Sequence, residues 1–181
     1  MSTEAYVREV IKFRKALNLT SISDPLLFNE RFVIPSIAMA EWIPDEGRLL
    51  DIGSGMGVPG IPLLIAKPGL TGVLVERRKK RAEFLRHVVR KLALNAEVYD
   101  ADINDLPRLH IDVCVARAVT DEEGLLQMCT AHVNVGALAV LPVPVSHRAK
   151  HVDGWQLTGE HAIAIKGDQS DKQIVRCYQY G

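Results

Sequence analysis

The sequence predicts an α/β protein built on a doubly wound parallel sheet, with a helical extension at its N-terminus. Short apolar runs alternate with longer stretches of helical periodicity from residue 48 onward, the pattern of a buried sheet covered by helices. The first run ends in a glycine-rich turn, where such sheets bind ligands. At 181 residues and 48% hydrophobic content, the chain has the size of one domain and enough apolar surface for a core. No repeat or low-complexity linker divides it, so a single domain is expected over 1–181, with 1–45 as the extension and 46–181 as the doubly wound core.

In residues 3–17, Ala5, Tyr6, Val10, Phe13 and Leu17 recur at three- to four-residue spacing, with Glu4, Arg8, Glu9, Lys12 and Lys15 on the other side. This predicts an amphipathic helix ending near Asn18. A second helical segment is expected from Pro25 to Trp42, kinked or split at Pro35 because proline lacks the N–H that the helix ladder needs. Strands are predicted at Arg48–Ile52, Gly72–Glu76, Ile111–Val115 and Ala137–Leu141, and helices near 60–67, 78–94 and 121–132. In the tail, Gln156–Thr158, Ala162–Ile165 and Gln173–Tyr178 lie between polar turns and read as antiparallel edge strands.

Lys and Arg number 22, as do Asp and Glu, and the formal net charge of zero excludes a polybasic protein that coats nucleic acid indiscriminately. The neutrality is a cancellation between neighbours. Residues 76–94 hold eight cations and two acids, a net of +6, and residues 95–125 hold eight acids and two cations, a net of −6. A local basic patch therefore stays open. Cys114, Cys129 and Cys177 lack the short spacings of a zinc site or redox couple, so no metal is expected, and free thiols suit a reducing cytoplasm. Residues 1–20 carry charges at helical intervals in place of a secretory signal. The longest apolar stretch, Val133–Val145, is too short for a bilayer and is broken by Asn134 and two prolines. The expectation is a soluble cytoplasmic protein without a membrane partner.

The chemistry is expected at Leu49-Leu-Asp-Ile-Gly-Ser-Gly-Met-Gly-Val-Pro-Gly60. Here a strand runs into Gly53, Gly55 and Gly57 and then into a helix that Pro59 and Pro62 help to start. A dinucleotide site wants G-x-G-x-x-G and a helix N-terminus facing a pyrophosphate. This turn reads G-x-G-x-G behind Asp51, whose charge would repel a pyrophosphate. A carboxylate there would accept hydrogen bonds from a cationic amino-acid moiety, such as the methionine part of S-adenosylmethionine. The next strand ends in Glu76, about 20 residues on, where an acid can hold two ribose hydroxyls.

Arg117 ends a later strand at the same edge of the sheet. It either orients an acceptor-rich partner in the pocket or pairs with Asp121 or Glu122 just after it. Cys114, mid-strand among apolar residues, reads as a buried inert thiol. No Asp/Asn-Pro-Pro-aromatic turn follows Arg117, which excludes methylation of exocyclic base amines, and no acid–base pair is evident. Guanine N7 needs no base: it has a free lone pair and no proton to lose. In the helix after Glu76, Phe84, Leu85, Val88, Val89 and Leu92 form an apolar stripe, with Lys79, Glu83, Arg86 and Arg90 on another face. Arg77, Arg78 and Lys80 crowd its start against the helix dipole. These cations read either as phosphate contacts or as a solvated face.

The residues resemble the bacterial small-subunit ribosomal RNA guanine-N7 methyltransferases (RsmG/GidB), also called glucose-inhibited division protein B. The likeness begins at Lys15-Ala-Leu-Asn-Leu-Thr-Ser-Ile22, Asp24-Pro25, Arg31 and Ser36-Ile37, and is densest at Asp51-Ile-Gly-Ser-Gly-Met-Gly-Val-Pro-Gly-Ile-Pro-Leu63. It continues through Lys80-Arg81 and Phe84–Val89 to Ala116-Arg-Ala118. The resemblance implies the Rossmann-like class I S-adenosylmethionine-dependent methyltransferase fold and the cofactor S-adenosyl-L-methionine. By it, Gly53 and Val58 match cofactor-loop positions, with Asp51, Ser54, Gly55 and Gly57 in the same loop. Glu76 matches the ribose-binding acid, Ile103 and Asn104 the segment flanking the adenine, and Arg117 the arginine that contacts the cofactor at the catalytic edge. The implied reaction is methyl transfer to N7 of a guanosine in the RNA of the 30S subunit, with Arg31, Lys79, Lys80, Arg86 and Arg90 on phosphates. The chain departs from the pattern where Arg31-Phe32-Val-Ile-Pro35-Ser36 stands in place of Arg-His followed by Leu-Asp-Ser, where Asn104 replaces an acid, and where Leu141-Pro142-Val143 replaces Leu-Lys-Gly. Two other readings stand beside it: a paralogue methylating a ring nitrogen of a small heterocyclic metabolite, and a silent cofactor-binding module.

Overall fold

A computed structural model of the chain describes residues 2–117, 121–163 and 173–181. The extension comprises α1 (Thr3–Phe13), α2 (Pro25–Phe28), one wide π turn (Asn29–Val33), α3 (Ile34–Ala38) and a 3-10 turn (Met39–Trp42). The core then runs β1 (Glu46–Ile52), α4 (Gly60–Ala66), β2 (Gly69–Val75), α5 (Lys79–Lys91) and β3 (Ala96–Tyr99). A 3-10 turn (Ile103–Asp105), β4 (Ile111–Ala116), α6 (Glu122–Thr130), β5 (Val133–Pro144), β6 (Trp155–Ile163) and β7 (Gln173–Tyr180) complete it. Among the described residues the strands form one seven-stranded sheet in the order β3-β2-β1-β4-β5-β7-β6, parallel except for antiparallel β7.

Alternation along β1 sorts the core into two faces. Leu49 points into a cluster with Tyr6, Val10, Phe28 and Val33 of the extension, Ile61 and Leu64 of α4, and Phe84, Leu85 and Val88 of α5. Leu50 points the other way, among Cys114, Leu126 and Cys129 and, beyond them, Trp155 and Tyr178. The extension thus closes one face of the sheet. Charged clamps add to it: Glu9, 4% exposed, binds His87 Nε2 and Lys91 Nζ of α5, each at 2.6 Å.

The elements differ from expectation where tertiary context decides. The regular helix runs to Phe13 and the chain continues in helical turns, Leu17 N–H on the Phe13 carbonyl at 3.1 Å, until Asn18 takes φ +49° and Leu19 N–H turns back to the Arg14 carbonyl at 2.9 Å, close to the expected end. The Pro25–Trp42 segment is split, as Pro35 foretold, but its break includes a π turn in which Ile34 N–H reaches the Asn29 carbonyl. β3 was not anticipated: it is a four-residue edge strand, half-buried, with Glu97 in its middle. Strand β5 runs through Pro142 and Pro144, beyond its pairing with β4, where only β7 is bonded to it. The two predicted tail strands Gln156–Thr158 and Ala162–Ile165 join as β6, bulged between Leu157 and Gly159, though residues 164–165 lie outside the described residues. Of the predicted tail strands, β7 is interior, between β5 and β6, and β6 is an edge, opposite β3 at the other end of the sheet of described residues. Among the described residues no helix is long and apolar enough to cross a membrane, and no group of His, Cys, Asp or Glu could hold a metal ion.

Candidate active site

At the carboxyl end of β1 the chain enters Gly53, Gly55 and Gly57 with φ of +67°, +56° and +100°. Gly57 shows why no side chain is tolerated, since a Cβ there would lie 2.6 Å from Ile61 Cγ1. Ser54 pins the turn, its N–H donating to the Val75 carbonyl at 3.0 Å and its Oγ to the Asp51 carbonyl at 2.8 Å. Tyr6 of α1 supports it from outside, donating its hydroxyl to the Met56 carbonyl at 2.9 Å.

Glu76 follows β2 and is 7% exposed. Its Oε2 accepts the Gly55 N–H at 3.0 Å and its Oε1 the Arg78 N–H at 2.8 Å. A carboxylate offers roughly four lone pairs, so acceptor capacity for hydroxyls remains. Asp51 is fully buried under the turn; its Oδ2 accepts the Gly60 N–H at 3.1 Å and its Oδ1 has no hydrogen-bond partner. Burial pushes its carboxyl up to about 7, against the pull of the Gly60 and Ser54 hydrogen bonds and with the Glu76 charge adding to the rise.

Gly53, Glu76, Arg77, Asp102, Ile103 and Asn104 line a cavity of about 390 Å³. Asp102 orders its far wall, accepting from Asn104 N and Nδ2 at 3.0 and 2.9 Å and pairing with Arg77 at 3.3 Å. The Asn104 backbone N–H above all holds the Asp102 carboxyl below its ordinary range. A larger space of about 610 Å³, between α1 and α5, is lined by Phe13, Leu17, Phe84, Lys79 and Lys80 and holds no residue of the glycine turn. The smaller cavity is where cofactor chemistry belongs.

Arg117 follows β4. Its Nη1 donates to the Arg31 carbonyl at 3.4 Å, and its Cζ lies 4.5 Å from the centroid of the Phe32 ring. Glu122, one of the two acids considered as its partners, binds Arg176 at 2.6 Å and Tyr178; Asp121 also caps α6 through Gly124 N–H at 3.0 Å and meets Lys150 at 3.4 Å.

Gly53, Glu76, Ile103 and Asn104 therefore surround one cavity. Asp51 and Ser54 lie beneath it, and Val58, 5% exposed, packs into the core with the helices. Arg31 meets Arg117 through its carbonyl. Lys79 and Lys80 face the space beside α1, and Arg90 is exposed, about 16 Å along α5 from Lys79 at the usual helical rise. Arg86 is tied to Glu83 at 2.6 Å, Asp100 at 2.7 Å and the Val98 carbonyl at 3.2 Å. Sequence reasoning missed Asp102, Arg81, Tyr6 and Phe32. Asp102 carried a signal, the Asp-x-Asn spacing of a side-chain-capped turn, and Arg81, which also lines the cavity, stood in the Lys80-Arg81 pair of the family likeness.

The donor and acceptor set fits S-adenosylmethionine. An unpartnered carboxylate oxygen under a glycine turn suits an ammonium, a half-engaged acid suits ribose hydroxyls, and the cavity has the volume of a nucleoside site. Solved structures agree on the fold. TYW2 of Pyrococcus horikoshii, solved with MeSAdo, superposes with a TM-score of 0.64 at 15% identity over 82% of this chain and 62% of its own. TYW2 of M. jannaschii, solved with AdoMet, gives 0.62 at 14% over 82% and 76%. Fold and site together define a class I S-adenosylmethionine-dependent methyltransferase. A sequence profile of GidB, described as rRNA small subunit methyltransferase G, matches residues 1–141. "Ribosomal RNA small subunit methyltransferase G" of Stenotrophomonas maltophilia is 34% identical over 94% of this chain and 82% of its own length. The protein of the same name from Chloroflexus aggregans is 30% identical over 95% and 79%. The chain belongs to the GidB family.

Proposed function

We propose that this methyltransferase acts on N7 of a guanosine in small-subunit ribosomal RNA. The observation that carries the reading is the meeting of three strand ends at one edge of the sheet: the glycine turn after β1, Glu76 after β2 and Arg117 after β4. The relatives' shared name supports the RNA substrate.

S-adenosylmethionine, when bound, supplies an electrophilic methyl and its own leaving group. Glu76 holds the ribose hydroxyls with its remaining lone pairs, and Asp51 supplies the countercharge for the ammonium. Ile103 and Asn104 flank the adenine. Guanine N7 gives up no proton, so the protein's task is alignment. The Arg117 guanidinium offers planar donors to an acceptor-rich base edge. Phosphate contacts fall to Arg31, Lys79, Lys80 and Arg90, whereas Arg86 is spent on Glu83 and Asp100. A ribosomal RNA substrate puts this work in the cytoplasm.

The test is transfer of a labelled methyl from S-adenosylmethionine to small-subunit particles from a strain lacking the gene, followed by nucleoside analysis. The expected product is 7-methylguanosine. No label, or label in another nucleoside, overturns the assignment.

A further inference from the structure

Arg117 is held from the N-terminal extension by two features that a single break in a helix creates. Pro35 has no N–H to offer the Arg31 carbonyl four residues before it, and Arg117 Nη1 donates to that carbonyl at 3.4 Å. At the next position, Ser36 Oγ donates to the Phe32 carbonyl at 2.5 Å, which fixes the backbone of the π turn from which the Phe32 ring projects. The ring lies under the guanidinium, 4.5 Å from Cζ.

The ring is anchored in turn. Phe32 packs on Phe28 with centroids 5.0 Å apart, and Phe28, fully buried, packs edge-on to Tyr6 at 6.2 Å. Tyr6 donates to the Met56 carbonyl of the glycine turn. A continuous aromatic row therefore ties the cofactor turn to the arginine at the end of β4.

We propose that Phe32 is a positioning residue: stacked on Arg117, and assisted by the Arg31 carbonyl that accepts from the same guanidinium, it sets the plane in which the guanidinium meets the substrate base. This rests on the reading of Arg117 as the group that orients the base. Phe32 itself touches neither cofactor nor reacting atoms.

The experiment uses the full chain with S-adenosylmethionine and unmethylated small-subunit particles, and three readouts: kcat, cofactor Kd by calorimetry, and the Arg117 Nε–H resonance, identified by its loss in Arg117→Lys. Phe32→Leu, which keeps apolar bulk and removes the ring, is expected to move that resonance and lower kcat about tenfold, the scale of a half-buried cation–π contact. Cofactor Kd should stay within about twofold, and Phe32→Tyr, which keeps the ring, should restore kcat. If Phe32→Leu does not fold, Pro35→Ala carries the test, because it returns an N–H that competes for the Arg31 carbonyl and should shift the same resonance with a smaller loss of kcat. An unchanged kcat in Phe32→Leu, or a loss that Phe32→Tyr does not rescue, overturns the proposal. Full activity in Arg117→Lys would instead overturn the underlying reading of Arg117, whatever Phe32 does.

Discussion

Glu76 already accepts two backbone N–H groups, one from the glycine turn and one from the start of α5, so it is fixed before any ligand enters. Replacing it should cost more than a hydroxyl contact. Glu76→Lys is expected to abolish measurable cofactor binding, and calorimetry with that variant checks it; tight binding would remove Glu76 from the site. Asp51 gives a pH signature. Its carboxyl in the folded protein sits at about 7, so below that pH the ammonium's countercharge must first lose a proton. Cofactor affinity should fall up to about tenfold per unit as pH drops below 7 and level off above it. In Asp51→Asn the profile should be flat, as Kd measured from pH 5.5 to 8.5 will show. The sign for folding is opposite. A carboxyl raised in the folded state contributes stability that is fully present below about pH 4 and lost as pH rises toward 7.

Among the elements, α1 acts as a brace for the glycine turn. Tyr6→Phe leaves the Met56 carbonyl without its donor and should cost about 1 kcal/mol of stability in urea denaturation, with cofactor Kd rising a few-fold. On the far side of the sheet Arg176, 2% exposed, joins β7 to α6 through Glu122 and to β6 through Glu160, each at 2.6 Å. Arg176→Met strands the buried Glu122 carboxylate and should cost about 3 kcal/mol, seen as a lower melting temperature. How far these elements were legible in the sequence follows from their physics. β1, β2, β4 and the centre of β5 announced themselves as apolar runs because both faces of a central parallel strand are buried. β3 could not, being short, at an edge and half polar. The glycine turn, Asp51 and Glu76 were readable because a strand-to-helix turn needs special dihedrals at fixed spacing. The Phe32–Arg117 stack was not, because it joins segments some 85 residues apart through a π turn that no local propensity encodes. The position of β7 inside the sheet escaped for the same reason.

At the scale of the molecule, the basic and acidic segments meet along α5 and the loop after β3, where Arg77 pairs with Asp102 and Arg86 with Asp100. Much of the sequence's charge separation is thus spent within the protein, and Lys79, Lys80 and Arg90 remain exposed. With Arg31 as a fourth contact, binding to a small-subunit RNA fragment should then fall about a hundredfold between 50 and 200 mM salt, as for roughly four phosphates neutralised. A flat salt response in a filter-binding titration would refute phosphate contact, and a much steeper one would refute so small a footprint. β7 lies late in the chain yet inside the sheet, and its Val175 and Cys177 share a core with Tyr6 of α1. A nascent chain in which β7 is still within the exit tunnel can pair neither β5 nor β6 with it, and the core that holds Tyr6 against the glycine turn stays open. Protection from protease should therefore arrive all at once, when β7 has left the tunnel. The cofactor turn is thus braced only once the latest of the described strands has been threaded between two others, so cofactor binding and a closed sheet arrive together.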